Sequence, residues 1–337
     1  MRQHLRSTVL FCLAVAVALP GLLSPARSAE AGTLVFKFAH AQPDSHPRHK
    51  SMLFFKEQLE SASKGQIKVE LYGAGTLGKE PELMDMVKVG TLQGTRGALF
   101  ERANKKYLLY TLPFLFADIE QAKRVIRSAF GDTVNQGARA NGFYVPATGV
   151  AGGFRQFTNN VRPIAAPDDM KGLKMRTPPI DSIIRTMSAL GASPQQVPYG
   201  ETYMALKTKV VDGQENPCSN IAEMKFYEVQ KYFTEVNYQI HPDPFYVSLT
   251  WFEALPADLK AAFTAAAKAA MARSDETWLA SEKDYQTLLE QKLAPGKISA
   301  ATHKAFVAKV KPVWDHYVSA GYFTRAEVDA ALAQAAR

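Results

Sequence analysis

Lys171-Gly172-Leu173-Lys174-Met175-Arg176 opens a stretch that runs on through Leu190-Gly191-Ala192 and Glu201-Thr202-Tyr203-Met204-Ala205-Leu206. It closes on Val211-Asp212-Gly213-Gln214-Glu215-Asn216-Pro217. Residues 173–176 read as a short mixed strand, 181–190 as a helix, 195–197 as a strand and 199–207 as a second helix. Arg176 ends its strand and is followed by Thr177-Pro178-Pro179. Proline fixes φ and keeps the residue before it extended, so the chain cannot turn into a helix at once. An arginine at such a strand end, with a polar Gly-Gln-Glu-Asn-Pro turn downstream, suits capture of a carboxylate. Its planar fork of donors matches two carboxylate oxygens together.

The same alternation precedes this stretch. Residues 33–39 form a first expected strand, about 49–63 a helix, 67–72 a second strand, 81–89 a helix and 92–100 a third strand. In the second strand Ile67, Val69 and Leu71 alternate with Lys68 and Glu70, the period of a half-buried strand. Strand–helix–strand order predicts an α/β fold with a largely parallel sheet. A second unit begins near Ala151-Gly152-Gly153. From Pro256 the composition turns alanine-rich, and 257–289 reads as one long helix with Leu259, Phe263, Met271, Trp278 and Leu279 as its packing face.

Arg2 and Arg6 precede an apolar run from Thr8 to Leu19, then Pro20-Gly21 and small residues to Ala31. This is the layout of a secretory signal, too short to span a bilayer. Residues 1–28 are therefore expected to be removed and the protein to reach the periplasm. The charge balance of 40 basic against 32 acidic residues then falls to 37 against 32 with the loss of Arg2, Arg6 and Arg27, a net +5. No basic run is long enough to suggest nucleic acid, and the mild positive field favours anionic solutes. Cys12 lies in the signal, which leaves Cys218 alone and rules out an intramolecular disulfide. Roughly 305 remaining residues exceed one ordinary core, so two domains are expected.

Gly73-Ala74-Gly75-Thr76-Leu77-Gly78 has the form of a dinucleotide fingerprint between a strand and a helix. Pro81 delays the helix start, however, and an exported protein meets little free nicotinamide cofactor. The segment reads as a structural turn, with Glu80 near the mouth of a cleft. His40, His46 and His49 lack the cysteine or acid that would complete a metal set. His40 ends the first strand, where ligands of open α/β sheets bind, and is a pocket candidate. No nucleophile elbow, zinc-protease helix or phosphate loop occurs, so neither an enzyme nor a cofactor is expected.

Several of these motifs occur in one order together with Gly153-Phe154-Arg155-Gln156-Phe157-Thr158-Asn159 and Lys225-Phe226-Tyr227-Glu228-Val229-Gln230-Lys231. In this the chain resembles, over nearly all its mature length, the solute-binding subunit of tripartite ATP-independent periplasmic (TRAP) transporters, of the dicarboxylate-binding type. The resemblance implies two α/β lobes closing on a ligand, with the long helix running along both. Lobe I would hold 29–152 and about 242–280, lobe II 153–241 and about 281–337. It further implies that Arg176 pairs with a ligand carboxylate and that Arg155 is a second ligand arginine. Asn216 matches the asparagine of the family's turn, and Tyr199 an aromatic that packs on ligand carbons.

Ala98 stands where sialic acid binders carry an acid, and Pro179 replaces a polar position, so sialic acid is not expected. Arg96, on the same strand face as Ala98, would add a third positive group to the cleft. The expected function is capture of a small organic acid (C4-dicarboxylate, sugar acid or similar) by a monomer that delivers it to a TRAP membrane permease. An exported enzyme acting on acidic sugars and a ligand-sensing lobe of a signalling system are the alternatives.

Overall fold

The computed structural model describes residues 32–337; the expected signal segment lies outside the described residues. The fold is α/β and two-lobed, built on two mixed sheets. The first sheet has five strands in the order Ile67–Tyr72, Leu34–Ala39, Gly94–Thr95, Tyr246–Ser248, Phe143–Tyr144. Its first three strands are parallel, and Tyr246–Ser248 returns antiparallel to both of its neighbours. The second has six strands in the order Ala294–Lys297, Tyr232–Glu235, Arg155–Asn159, Gly213–Pro217, Lys174–Thr177, Ser193–Gln196. Arg155–Asn159 runs antiparallel to both neighbours. The sheets are largely parallel, as expected, with one reversed strand in each. In the first sheet the reversed strand, Tyr246–Ser248, arrives after the chain has left and re-entered the lobe. In the second it is the earliest strand, Arg155–Asn159, while the late-arriving Ala294–Lys297 runs parallel to Tyr232–Glu235.

Local chemistry places most boundaries where the sequence suggests. Pro47 starts the first helix, Pro47–Ala62, whose N-cap His46 accepts the Arg48 amide on Nδ1 at 3.1 Å, satisfying one of the helix's orphan donors. Helix Glu80–Val89 ends on Gly90 at φ 84°, the left-handed cap that glycine adopts without penalty. The third strand is the exception: only Gly94–Thr95 pairs within the predicted 92–100. A Cβ at Gly94 would stand 2.5 Å from the Phe36 ring, so glycine is needed for the close approach. Beyond Thr95 the backbone leaves the ladder, Arg96 turns inward, and Phe100–Ala103 forms a helical turn.

Under the first sheet Phe36, Phe38, Phe55, Phe245 and Phe263 make an edge-to-face cluster. The long helix, Ala257–Lys292, has 36 residues and measures about 54 Å. Its small residues Ala266, Ala267 and Ala270 are buried beside the Pro47–Ala62 helix. Its other half grips the second lobe: Glu282 accepts the Cys218 amide at 3.1 Å, and the Tyr285 hydroxyl donates to Glu223 at 2.7 Å. The last helix, Arg325–Ala335, packs on Ile119–Ile126, with Lys106 bound to Glu327 at 2.5 Å. That part of 281–337 thus contacts segments expected in lobe I.

Candidate functional site

Three residues singled out by the sequence lie on neighbouring strands of the second sheet. Arg176 pairs with Gln214 across the Lys174–Thr177 and Gly213–Pro217 strands, and Asn216 pairs with Gln156 one strand further on. Arg155 and Glu215 are diagonal neighbours on one face, since Arg155 pairs with Pro217 and Phe157 with Glu215. Their ends face a narrow recess lined by Gln42, Arg48, Glu80, Arg176, Tyr199 and Trp278 among others. A larger, more apolar recess continues past Glu80, Arg176 and Tyr199 toward the Gly73–Gly78 turn.

Arg176 is 1% exposed. Its Nε donates to the Val197 carbonyl at 2.9 Å, its only hydrogen bond among the described residues. Its carbon lies 6.0 Å from the centre of the Tyr199 ring. Burial pushes its pKa down to about 10, the Arg155 charge adds to this, and Glu215 and Glu80 oppose it. A buried cation whose fork has no protein anion is costly unless something else pairs with it.

Arg155 is differently placed. It grips Glu215 through Nε and Nη2, donates from Nη2 to Asn216 Oδ1 at 3.0 Å, and has Nη1 3.4 Å from His241. Burial lowers its pKa, but Glu215 outweighs that and raises it overall. Its charge is therefore already neutralised. Asn216 is held by Arg155, by Asn220 at 3.0 Å, and by its own donation to Gln214 at 2.6 Å.

Tyr199 lines both recesses with a buried hydroxyl that has no partner among the described residues. Glu80 lines both as well. Burial raises its pKa, against the pull of Arg48 and Arg176.

Two expectations are corrected. Arg96 does not face the cleft: it is fully buried, bonded to Asp243, to Ser51 Oγ at 2.7 Å and to Ser274 Oγ at 2.9 Å. The backbone leaves the strand period after Thr95, so counting alternation from Ala98 assigns its face wrongly. His40 is also fully buried, with Nε2 3.0 Å from His49 Nδ1. Burial first, then Arg48 and His49, pushes its pKa down to about 2. Its neighbours Ala41 and Gln42 reach the recesses instead. His46 turns elsewhere, toward Asn220 at 3.0 Å.

Sequence reasoning missed the positive group that does reach the cleft. Arg48 is 4% exposed and donates from Nη2 to Asp243 at 3.2 Å; Nε and Nη1 have no partner among the described residues. Its guanidinium lies 5.7 Å from the Trp278 ring centre. Asp243 is pushed up by burial, but Arg48 and Arg96 outweigh this and hold it below the usual carboxylate range. The available signal was Pro47, which starts the helix two residues earlier than hydrophobic spacing suggests and places Arg48 in its first turn.

In the Gly73–Gly78 turn the Ala74 and Gly75 amides donate to Gln42 and His40 carbonyls at 2.7 and 3.0 Å. They are not available to cradle a phosphate.

The sequence profile described as "Bacterial extracellular solute-binding protein, family 7" matches residues 38–320. The chain belongs to this family. It is 30% identical to the C4-dicarboxylate-binding periplasmic protein DctP of Vibrio cholerae serotype O1 over 302 residues, 87% of this chain and 89% of the relative. Among solved structures it resembles a TRAP periplasmic solute-binding protein from Shewanella oneidensis with bound succinate: TM-score 0.85, 27% identity, 90% of this chain and 100% of the other. It also resembles the sugar acid binding protein DctPAm from Advenella mimigardefordensis in complex with galactonate. There the TM-score is 0.86, with 28% identity, 91% of this chain and 99% of the other. As a family member it is an extracellular solute-binding protein, and the recess between its sheets is the candidate solute site.

Proposed function

We propose that this protein captures one small organic acid by its carboxylate in the periplasm and delivers it to a TRAP-type membrane permease. The observation that carries the reading is Arg176: buried, charged, tied by Nε alone, its fork at a recess without a protein carboxylate bound to it. A ligand carboxylate completes it through two charge-assisted hydrogen bonds. Asn216 and Arg155 support this set, Arg155 by fixing Asn216 Oδ1. Tyr199 packs over the ligand, and Arg48 takes the place foreseen for Arg96.

Lobe I comprises 32–152 and about 242–280, and lobe II 153–241 and about 281–320, with the last helix returning to lobe I. The chain crosses between lobes at the paired strands Thr148–Val150 and Pro242–Pro244. Ligand closes them by its better contacts in the closed state. The protein acts as a monomer and performs no chemistry on its cargo.

Calorimetry of the mature protein against organic acids, with mass spectrometry of the recovered ligand, tests this. One unaltered anion per chain is expected. Failure to bind any carboxylate, or conversion of the acid, refutes it.

A further inference from the structure

The groups facing the recess do not all want an anion. Arg48 Nε and Nη1 and the Arg176 fork are donors. Gln42 Oε1, buried and without a partner among the described residues, is an acceptor. So is the Glu80 carboxylate, which shares the recess with both arginines. The Tyr199 hydroxyl, also buried and unpartnered among the described residues, can act either way. Glu80 already accepts from the Ala98 amide and the Gln42 side chain, but a carboxylate has further lone pairs to offer. A ligand that fills this space leaves Gln42 Oε1 satisfied only if it brings a hydrogen-bond donor of its own. Succinate and other plain dicarboxylates have none at neutral pH.

Charge leads to the same class. Four guanidiniums (Arg48, Arg96, Arg155 and Arg176) stand against three carboxylates (Glu80, Glu215 and Asp243). Arg155 is neutralised by Glu215, while Arg48 and Arg96 share Asp243. One positive charge is left over, which one ligand carboxylate balances. A second carboxylate would lie in a poorly solvated space with Glu80, and like charges there are strongly unfavourable.

Glu80 is also sterically committed. A Cβ at Gly97 would lie 3.2 Å from its carboxyl carbon and Oε1, so Gly97 leaves room for the carboxylate at the wall. Glu80 is held there in the first turn of the Glu80–Val89 helix.

We infer that the ligand is a hydroxylated monocarboxylate of the aldonate or uronate class. Its carboxylate sits on Arg176, and its hydroxyl groups donate to Glu80 and Gln42 Oε1. The inference rests on the carboxylate-capture reading and narrows it.

The test is calorimetry at about pH 7.5 with the mature wild-type chain and the Glu80→Gln variant. The probes are succinate, erythronate (four carbons, like succinate), galactonate and glucuronate. For wild type, at least one hydroxylated acid should bind about 30-fold or more tighter than succinate, because the site rejects a ligand that leaves its polar groups unpaired. Glu80→Gln keeps shape and removes the charge, so it should weaken that acid about tenfold or more and bring succinate closer to it.

Succinate binding as tightly as every hydroxylated acid in the wild type overturns the inference but leaves carboxylate capture standing. A wild-type preference that Glu80→Gln leaves unchanged overturns the role given to Glu80 and with it the inference. Binding of none of the four overturns the inference, and if wider screening finds no carboxylate ligand, carboxylate capture falls too.

Discussion

Replacing Arg176 by methionine should make the empty protein more stable while removing its ligand affinity. Burial lowers the arginine's pKa from 12.5 to about 10. At 1.36 kcal/mol per unit, the charged form costs the folded empty protein about 3 kcal/mol relative to the unfolded chain. Methionine fills a comparable apolar volume without the charge, so most of that cost disappears. Against the gain stands the lost bond from Nε to the Val197 carbonyl. Losing that bond and leaving the carbonyl unpartnered costs about 1–2 kcal/mol. The balance is a stabilisation of about 1–2 kcal/mol. With an unfolding entropy near 2.1 cal/mol/K per residue, this raises Tm by about 2–3 °C in a chain of roughly 305 residues.

The ligand, by contrast, loses two charge-assisted hydrogen bonds of about 1.5–3 kcal/mol each, a fall in affinity of 100-fold or more. Scanning calorimetry on exhaustively dialysed wild type and variant gives the first quantity, and titration with a bound acid the second. A fall of several degrees in the variant's apo Tm would show that Arg176 holds the fold together. Affinity within about threefold of wild type would remove it from the site.

Three further outcomes follow from the same geometry. Burial raises Glu282 to about 7, above its ordinary 4.5. A raised acid contributes stability that is complete below about pH 4.5 and is lost as pH rises through 7. Glu282→Gln should therefore be more stable than wild type by about 1–3 kcal/mol near pH 8, with the difference vanishing below about pH 4.5 in denaturant melts. A Cβ at Gly213 would clash with the Thr158 carbonyl and stand 2.8 Å from Asn159 Cβ. Gly213→Ala should cost about 3 kcal/mol and reduce soluble expression, and a melt within 0.5 kcal/mol of wild type would contradict that packing. Lys79 and Glu201 meet at 2.6 Å across the apolar recess, both about half exposed. Lys79→Ala should speed ligand release by less than about fivefold, an effect that fades in high salt, as stopped-flow measurements of tryptophan emission can show.

The second lobe was the more legible from sequence. Its strands alternate with helices bounded by Pro178-Pro179, Gly191 and Gly213, and the predicted 181–190 helix is observed as Asp181–Ala189. Arg176 ends a strand that the pattern delimits, whereas Gly213–Pro217, read as a turn, is an inner strand of the sheet, and Asn216 is marked only by the family resemblance. The first lobe hid its polar residues for a physical reason. Arg96 follows a strand of only two residues, after which period-two counting has no meaning. Pro47 puts Arg48 in the first helical turn, but nothing local announces that Asp243, 195 positions later, draws it inward. Glu215 and His241 likewise acquire meaning only from Arg155, which lies far from both in sequence. Pairings between residues far apart in the chain are set by tertiary topology, and a single chain's periodicity carries no trace of them.

The Ala257–Lys292 helix packs on both lobes along one unbroken rod. The lobe closure proposed above would have to bend that rod or slide it in one of its two seats. On that proposal the resting angle of the empty protein would be set by an elastic balance between helix stiffness and lobe contacts. A glycine placed at an exposed site midway, such as Arg273→Gly, would soften the element that stores this deformation. Such a change touches no ligand, yet it would broaden the range of opening angles and alter how quickly the mouth closes.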